Sequence, residues 1–223
     1  AVGATPFSKV LQELREAKTL QLRVSKNGQS ADVWVRAPGL VRREETPQRY
    51  QIAAGSRLWD IDETQNSSVA SDSPWFISPE NQIDLLGLLD VGVKDASALL
   101  RARPVERISR DGKDCFVYRV ELPAKGHNLE VEAVADAKTL QLLDITARAA
   151  GTKRPGGPPL AELTLVAFDP AVGDDKFVVA KSLTEDGRIG KVSASQGIVV
   201  LRPMLAKRWT PICREMLLKP GDW

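Results

Sequence analysis

The chain of 223 residues holds one histidine, His127, and two cysteines, Cys115 and Cys213. One imidazole excludes a multi-histidine metal centre, and the two thiols are too far apart for a CxxC zinc or redox pair. His127 stands in a Lys-Gly-His-Asn turn, where a solvated side chain is the plain reading, since a catalytic histidine needs a nucleophile and an orienting acid beside it. Asp60, Asp62 and Glu63 offer oxygen ligands for a hard cation, but the glycine and distant glutamate of a calcium loop are missing, and a strand edge running into a turn explains them. Gly187 to Val192 lacks the first glycine and the Ser or Thr of a phosphate loop. Nothing here composes an enzyme, a metal site or a cofactor site. Lys and Arg total 31 against 29 Asp and Glu, so the net charge of +2 gives no footprint for nucleic acid. No apolar run reaches the 18 or so residues that a membrane-spanning helix needs.

The residues most open to a binding role are Arg42-Arg43-Glu44-Glu45. They fall in a strand pattern, so Arg42 and Glu44 share one face while Arg43 and Glu45 share the other. A strand charged on both faces is either an edge strand or one whose face lines a cavity where an arginine pairs or docks something.

The elements that would position them read as follows. Phe7, Val10, Leu11 and Leu14 give residues 6–17 an amphipathic helix, with Thr5 as its cap and Pro6 as its first residue. The period then drops to two. Leu20, Leu22 and Val24 alternate with polar residues, Asn27-Gly28 makes a hairpin turn, and Ala31, Val33 and Val35 alternate in the next strand. Strands follow at 40–45, 49–53, 58–62 and 68–70, a meander of hairpins. The leucines between residues 80 and 102 predict two short helices. Strands return at 105–110, 115–122, 129–134, 140–147 and 160–168, and 176–180 closes the series. Residues 151–159 (GTKRPGGPP) predict a loop. Cys115 reads as a buried free thiol. Turn residues at 184–190 suggest a boundary, with two strands about Gly197 beyond it.

Arg36-Ala37-Pro38-Gly39, Arg42-Arg43-Glu44, Gly55 and Leu58-Trp59-Asp60-Ile61-Asp62, with Ala135 to Leu142 and Ala167-Phe168-Asp169 further on, resemble the LolA/LolB/RseB superfamily of periplasmic lipoprotein carriers and stress sensors. Ala37 interrupts the usual Arg-Pro pair, Ile61 replaces an aromatic residue and Gln141 a proline. The likeness runs over residues 5–182. Gly190-Lys191-Val192, Gly197 to Val200, Trp209-Thr210-Pro211 and Leu218 to Asp222 resemble the opening of a FecR domain.

The resemblance implies an α+β fold: a strongly curved antiparallel sheet, an unclosed half-barrel with helices across its concave face, over residues 1–186. A partial FecR-like β segment would occupy 187–223. It implies a non-enzymatic, extracytoplasmic sensor of an envelope signalling (sigma factor regulatory) protein, or alternatively a periplasmic lipoprotein carrier of the LolA type. The expected guest is an acyl chain or lipoprotein, with Arg42 and Arg43 as headgroup contacts and Val33, Val35, Trp59 and Leu86 as wall. The expected partner is an envelope signalling protein. Nucleic acid is not expected as a partner. Membrane anchoring would come only from parts of the gene product outside this chain. The tail could join two copies into a homodimer.

Overall fold

The computed structural model describes residues 5–37, 39–54, 57–65, 67–72, 84–93, 95–151 and 159–178, with the short pieces 190–191, 199–202, 209–211 and 217–218. Helix α1 (Phe7–Glu16) leads into strands β1 (Thr19–Lys26), β2 (Gln29–Arg36), β3 (Leu40–Thr46), β4 (Arg49–Ala54), β5 (Arg57–Asp62) and β6 (Ser67–Asp72). Helices α2 (Leu85–Leu89) and α3 (Ser97–Arg101) follow, then β7 (Glu106–Arg110), β8 (Lys113–Pro123), β9 (Asn128–Asp136), β10 (Leu142–Ala149) and β11 (Ala161–Phe168).

All eleven strands join one antiparallel sheet in the order β6-β5-β4-β3-β2-β1-β11-β10-β9-β8-β7. It is two meanders sewn together by one long-range pairing, β1 with β11. Among the described residues β6 and β7 remain separate edges, so the barrel is unclosed. The expected fold class is the one found. The connection between those two edges carries α2 and α3, whose buried leucines pack with the residues of the sheet's inner face.

Alternation decides what that face presents. Leu20, Leu22 and Val24 of β1, Val33 and Val35 of β2, and Leu129, Val131, Ala133 and Ala135 of β9 all point inward and are buried. Phe7, Val10 and Leu14 of α1 pack on them, as do Leu85, Leu86, Leu88 and Leu89 of α2 and Leu99 of α3. A helix apolar on nearly every side must be buried. Four of the five α2 residues are buried leucines. Asp84 caps the helix by accepting the Leu86 amide at 3.1 Å, and Asp90 ends it in the left-handed conformation. Leu86→Ala is expected to lower stability by about 2–5 kcal/mol in urea unfolding. A loss below about half a kcal/mol would mean that α2 is a loose lid.

Four local expectations need correction. Thr5 is not the cap of α1: the cap position is Pro6 without a side-chain bond, and the Phe7 amide instead donates to the Ala102 carbonyl at 2.9 Å. Nonlocal chain does the work expected of a capping hydroxyl. Residues Asp174–Phe177 form a 3-10 turn where a strand was expected to begin. β3 lies between β2 and β4, so it is not an edge strand. In the tail, β12 (Gly190–Lys191) pairs with β15 (Leu217–Leu218), and β13 (Val200–Leu201) with β14 (Thr210–Pro211), rather than one hairpin closing about Gly197. Gly197 itself, most of the 151–159 loop and the 184–190 boundary, apart from Gly190, lie outside the described residues.

Candidate functional site

β3 carries charged residues on both of its faces. Its register sets Val33 opposite Arg43 and Val35 opposite Val41, then Arg43 opposite Gln51 and Val41 opposite Ala53. Arg43 therefore shares the inner face with Val33 and Val35, and Glu45, at the irregularity between Glu44 and Thr46, borders the same cavity. Near the β1–β2 turn that face opens into a cavity of about 520 Å³. Val24 and Ala31 line it with Lys26, Gln29, Arg43, Glu45 and Asp90. Lys26 Nζ lies 2.6 Å from the Asp90 carboxylate and 2.6 Å from its carbonyl oxygen, tying β1 to the end of α2. The cavity thus has a small apolar floor and a rim with both signs of charge. Its size is that of a small-molecule site, but its lining is more polar than an acyl chain alone would favour.

The outer face carries Trp34, Arg36, Arg42, Glu44, Tyr50 and Trp59. The Arg42 guanidinium stacks 3.6 Å from the Tyr50 ring centroid. It donates to Glu44 at 3.3 Å and to the Lys176 carbonyl at 3.2 Å. Arg42 is 8 % exposed and, opposite Trp34 and Ile52, points away from the inner face. Ile52 and Ile61 are fully buried beside Tyr50, with Trp59 packed against them.

The six residues read from sequence as a ligand site thus divide. Val33, Val35, Arg43 and Leu86 belong to the inner side, where Val33, Val35 and Leu86 are core and Arg43 lines the cavity. Arg42 and Trp59 stand on the outer face and do not meet the others. Alternation separated Arg42 from Arg43 correctly but could not say which face was inner. Lys26 and Asp90 were missed. They come together across 64 residues of sequence, and no local pattern signals that.

The other chemistry-bearing residues are occupied locally. Asp60 accepts from Gln51 at 3.2 Å, and Glu63 accepts the Tyr50 hydroxyl at 2.8 Å. Asp62 takes the Thr64 hydroxyl and the amides of Thr64 and Gln65, which hold its carboxyl below the usual range. No cluster able to hold a metal occurs among the described residues. His127 is exposed in the β8–β9 turn, and Cys115 is a buried free thiol whose pKa burial pushes up.

No protein-family model matches the chain, and no curated protein matches it. Solved structures do. The chain is similar to an uncharacterized conserved protein from Thermus thermophilus at 13% identity, covering 72% of this chain and 84% of that one, with a TM-score of 0.44. It is similar to the MucA/MucB complex structure of Pseudomonas aeruginosa at 16% identity, covering 92% of this chain and 73% of that one, with a TM-score of 0.42. It is also similar to a LolA superfamily protein from Nitrosomonas europaea at 12% identity, covering 81% of this chain and all of that one, with a TM-score of 0.33. At these identities and scores no residue of this chain acquires a role from them.

Proposed function

We propose that the chain is a non-enzymatic, extracytoplasmic sensor or regulatory domain of an envelope signalling protein, and that it takes the head of an acylated ligand, a lipid or lipoprotein, in the inner cavity. The observation that carries this reading is the cavity itself: an apolar floor at Val24 and Ala31, Lys26 and Arg43 at the rim, and a short leucine-rich helix directly alongside. An amphiphile needs that combination, a cation for its head and an apolar path for its tail. The resemblance of residues 5–182 to lipoprotein carriers and stress sensors supports the same ligand class. The FecR-like tail sequence favours signalling over transport, with an envelope protein as partner and self-association through residues 190–223 as a second mode of assembly.

A fluorescent fatty acid should bind saturably and be displaced by a lipopeptide. Arg43→Ala should weaken it about tenfold, the order of one lost charge-assisted hydrogen bond. Arg57→Ala, on the outer face, should leave binding unchanged. Absence of saturable binding to the wild-type chain would overturn the ligand reading. The alternative is a periplasmic lipoprotein carrier of the LolA type, in which the buried α2 leucines would have to move aside for a transported acyl chain. It predicts hand-over of bound lipopeptide to an acceptor, where a sensor retains it.

A further inference from the structure

After β11 the chain stays on the sheet. Asp169, at φ 50°, accepts the amides of Lys18 and Thr19 at 2.7 and 3.1 Å, and the Thr19 hydroxyl donates to Pro170 at 2.7 Å. Residues 170–178 then cross the outer face of β2 and β3 as a strap. Arg36 holds Asp174 at 2.5 Å, donates to the Val172 carbonyl and stacks 4.7 Å from the Phe177 ring centroid. Lys176 sits 3.8 Å from the centroid of the Trp34 ring, with its ammonium 2.9 Å from Glu44. Glu44 therefore bridges two cations, Arg42 from the sheet and Lys176 from the strap.

This grip is incompletely satisfied. Arg42 Nε is buried and makes no hydrogen bond among the described residues, and both bonds from its terminal nitrogens are long. Burying a cation with a donor unmet is costly, and the stack on Tyr50 and the pair with Glu44 offset that cost. Consecutive residues of β3 also serve opposite faces. Residues 42 and 44 hold the strap, while residues 43 and 45 line the cavity. Side chains on a strand are fixed to one backbone, so a twist that moves one set moves the other.

We propose that β3 couples the inner cavity to the outer strap: an occupant at Arg43 and Glu45 changes the hold of Arg42 and Glu44 on Lys176, and with it the seating of residues 170–178 on the sheet. The proposal rests on the ligand reading above, and its test separates the two.

Backbone hydrogen exchange would be followed in the full chain on fragments covering 170–178, with β9 as an internal reference. Saturation with the fluorescent fatty acid is expected to change strap exchange about fivefold or more and leave β9 unchanged, the low end of ordinary coupling. Lys176→Met, which keeps the stem on Trp34 and removes the charge, is expected to change probe affinity as well, because coupling acts in both directions. Unchanged strap exchange at saturation, with equal probe affinity in Lys176→Met, overturns the coupling and leaves the ligand reading standing. If the probe does not bind at all, the ligand reading fails and the coupling is judged on Arg43→Ala alone. Strap exchange should then differ from wild type, and identical exchange overturns it. Arg43→Lys takes the place of Arg43→Ala if the latter loses protection in β9.

Discussion

Phe7→Ala is expected to destabilise the domain by about 3–5 kcal/mol, among the largest effects of any single truncation here. The side chain is fully buried. Its ring meets Tyr118 edge-on, with centroids 5.2 Å apart and planes at 65°. Such pairs add roughly 0.5–1.5 kcal/mol to what burial alone gives. Phe7 also opens α1, and its amide is held by Ala102 beyond α3, so the residue joins two helices to the far meander. The cavity left by alanine would lie between α1, α3 and the sheet and could not collapse easily. Urea unfolding should show a lower midpoint with an unchanged slope. A loss under about 1 kcal/mol would mean that α1 is not part of the cooperative core. Tyr118 provides an independent check on the same site. Burial pushes its hydroxyl pKa up to about 12, so the group contributes stability that is complete below its ordinary value near 10 and is lost as pH rises through the folded value.

Most of this architecture was legible because it is local. Each hairpin declares itself in a window of a dozen residues: alternation at Leu20, Leu22 and Val24, then Asn27-Gly28, then alternation again. The eleven strands follow from repeating that reading. What stayed hidden depends on pairs distant in sequence. The cap of α1 is supplied from residue 102, the cavity rim joins Lys26 to Asp90, and the strap returns Lys176 to Glu44 across 132 residues. Trp59 shows a different limit. Its strand is legible, but period two gives only two opposed sets and does not say which of them meets the helices. Leu58 points inward and is buried, while Trp59 packs outside with Tyr50, Ile52 and Ile61. Size and hydrophobicity do not settle orientation when both faces of a sheet are covered.

The same limit hid the ion pair from which the second large effect is expected. Arg110, at the end of β7, reaches Asp144 on β10 over the outer face of β8 and β9. Asp144 has only 8 % of its side chain exposed, whereas Arg110 keeps 45 %. Burial raises the Asp144 pKa, and the Arg110 hydrogen bond and charge pull it partly back. Arg110→Ala would leave a buried carboxylate uncompensated. Removing one partner of a buried pair commonly costs about 3–5 kcal/mol; because Arg110 is half in water, about 2–3 kcal/mol is expected at neutral pH. The sign of the pH dependence follows from the raised pKa. A carboxyl with a folded pKa above its unfolded value favours the fold most when protonated, and that advantage disappears as pH rises through the folded pKa. Without Arg110 the folded pKa climbs further, so the deficit should be full near neutrality and shrink as the solution is acidified into the carboxylate range. Asp144→Asn removes the titrating group, so the double variant should show no such slope. Urea midpoints of the four proteins, taken near pH 4 and near pH 7, measure this directly. A deficit equal at both pH values would show that Asp144 is solvated well enough to need no partner, and that Arg110 acts there only by packing over Cys115 and its neighbours.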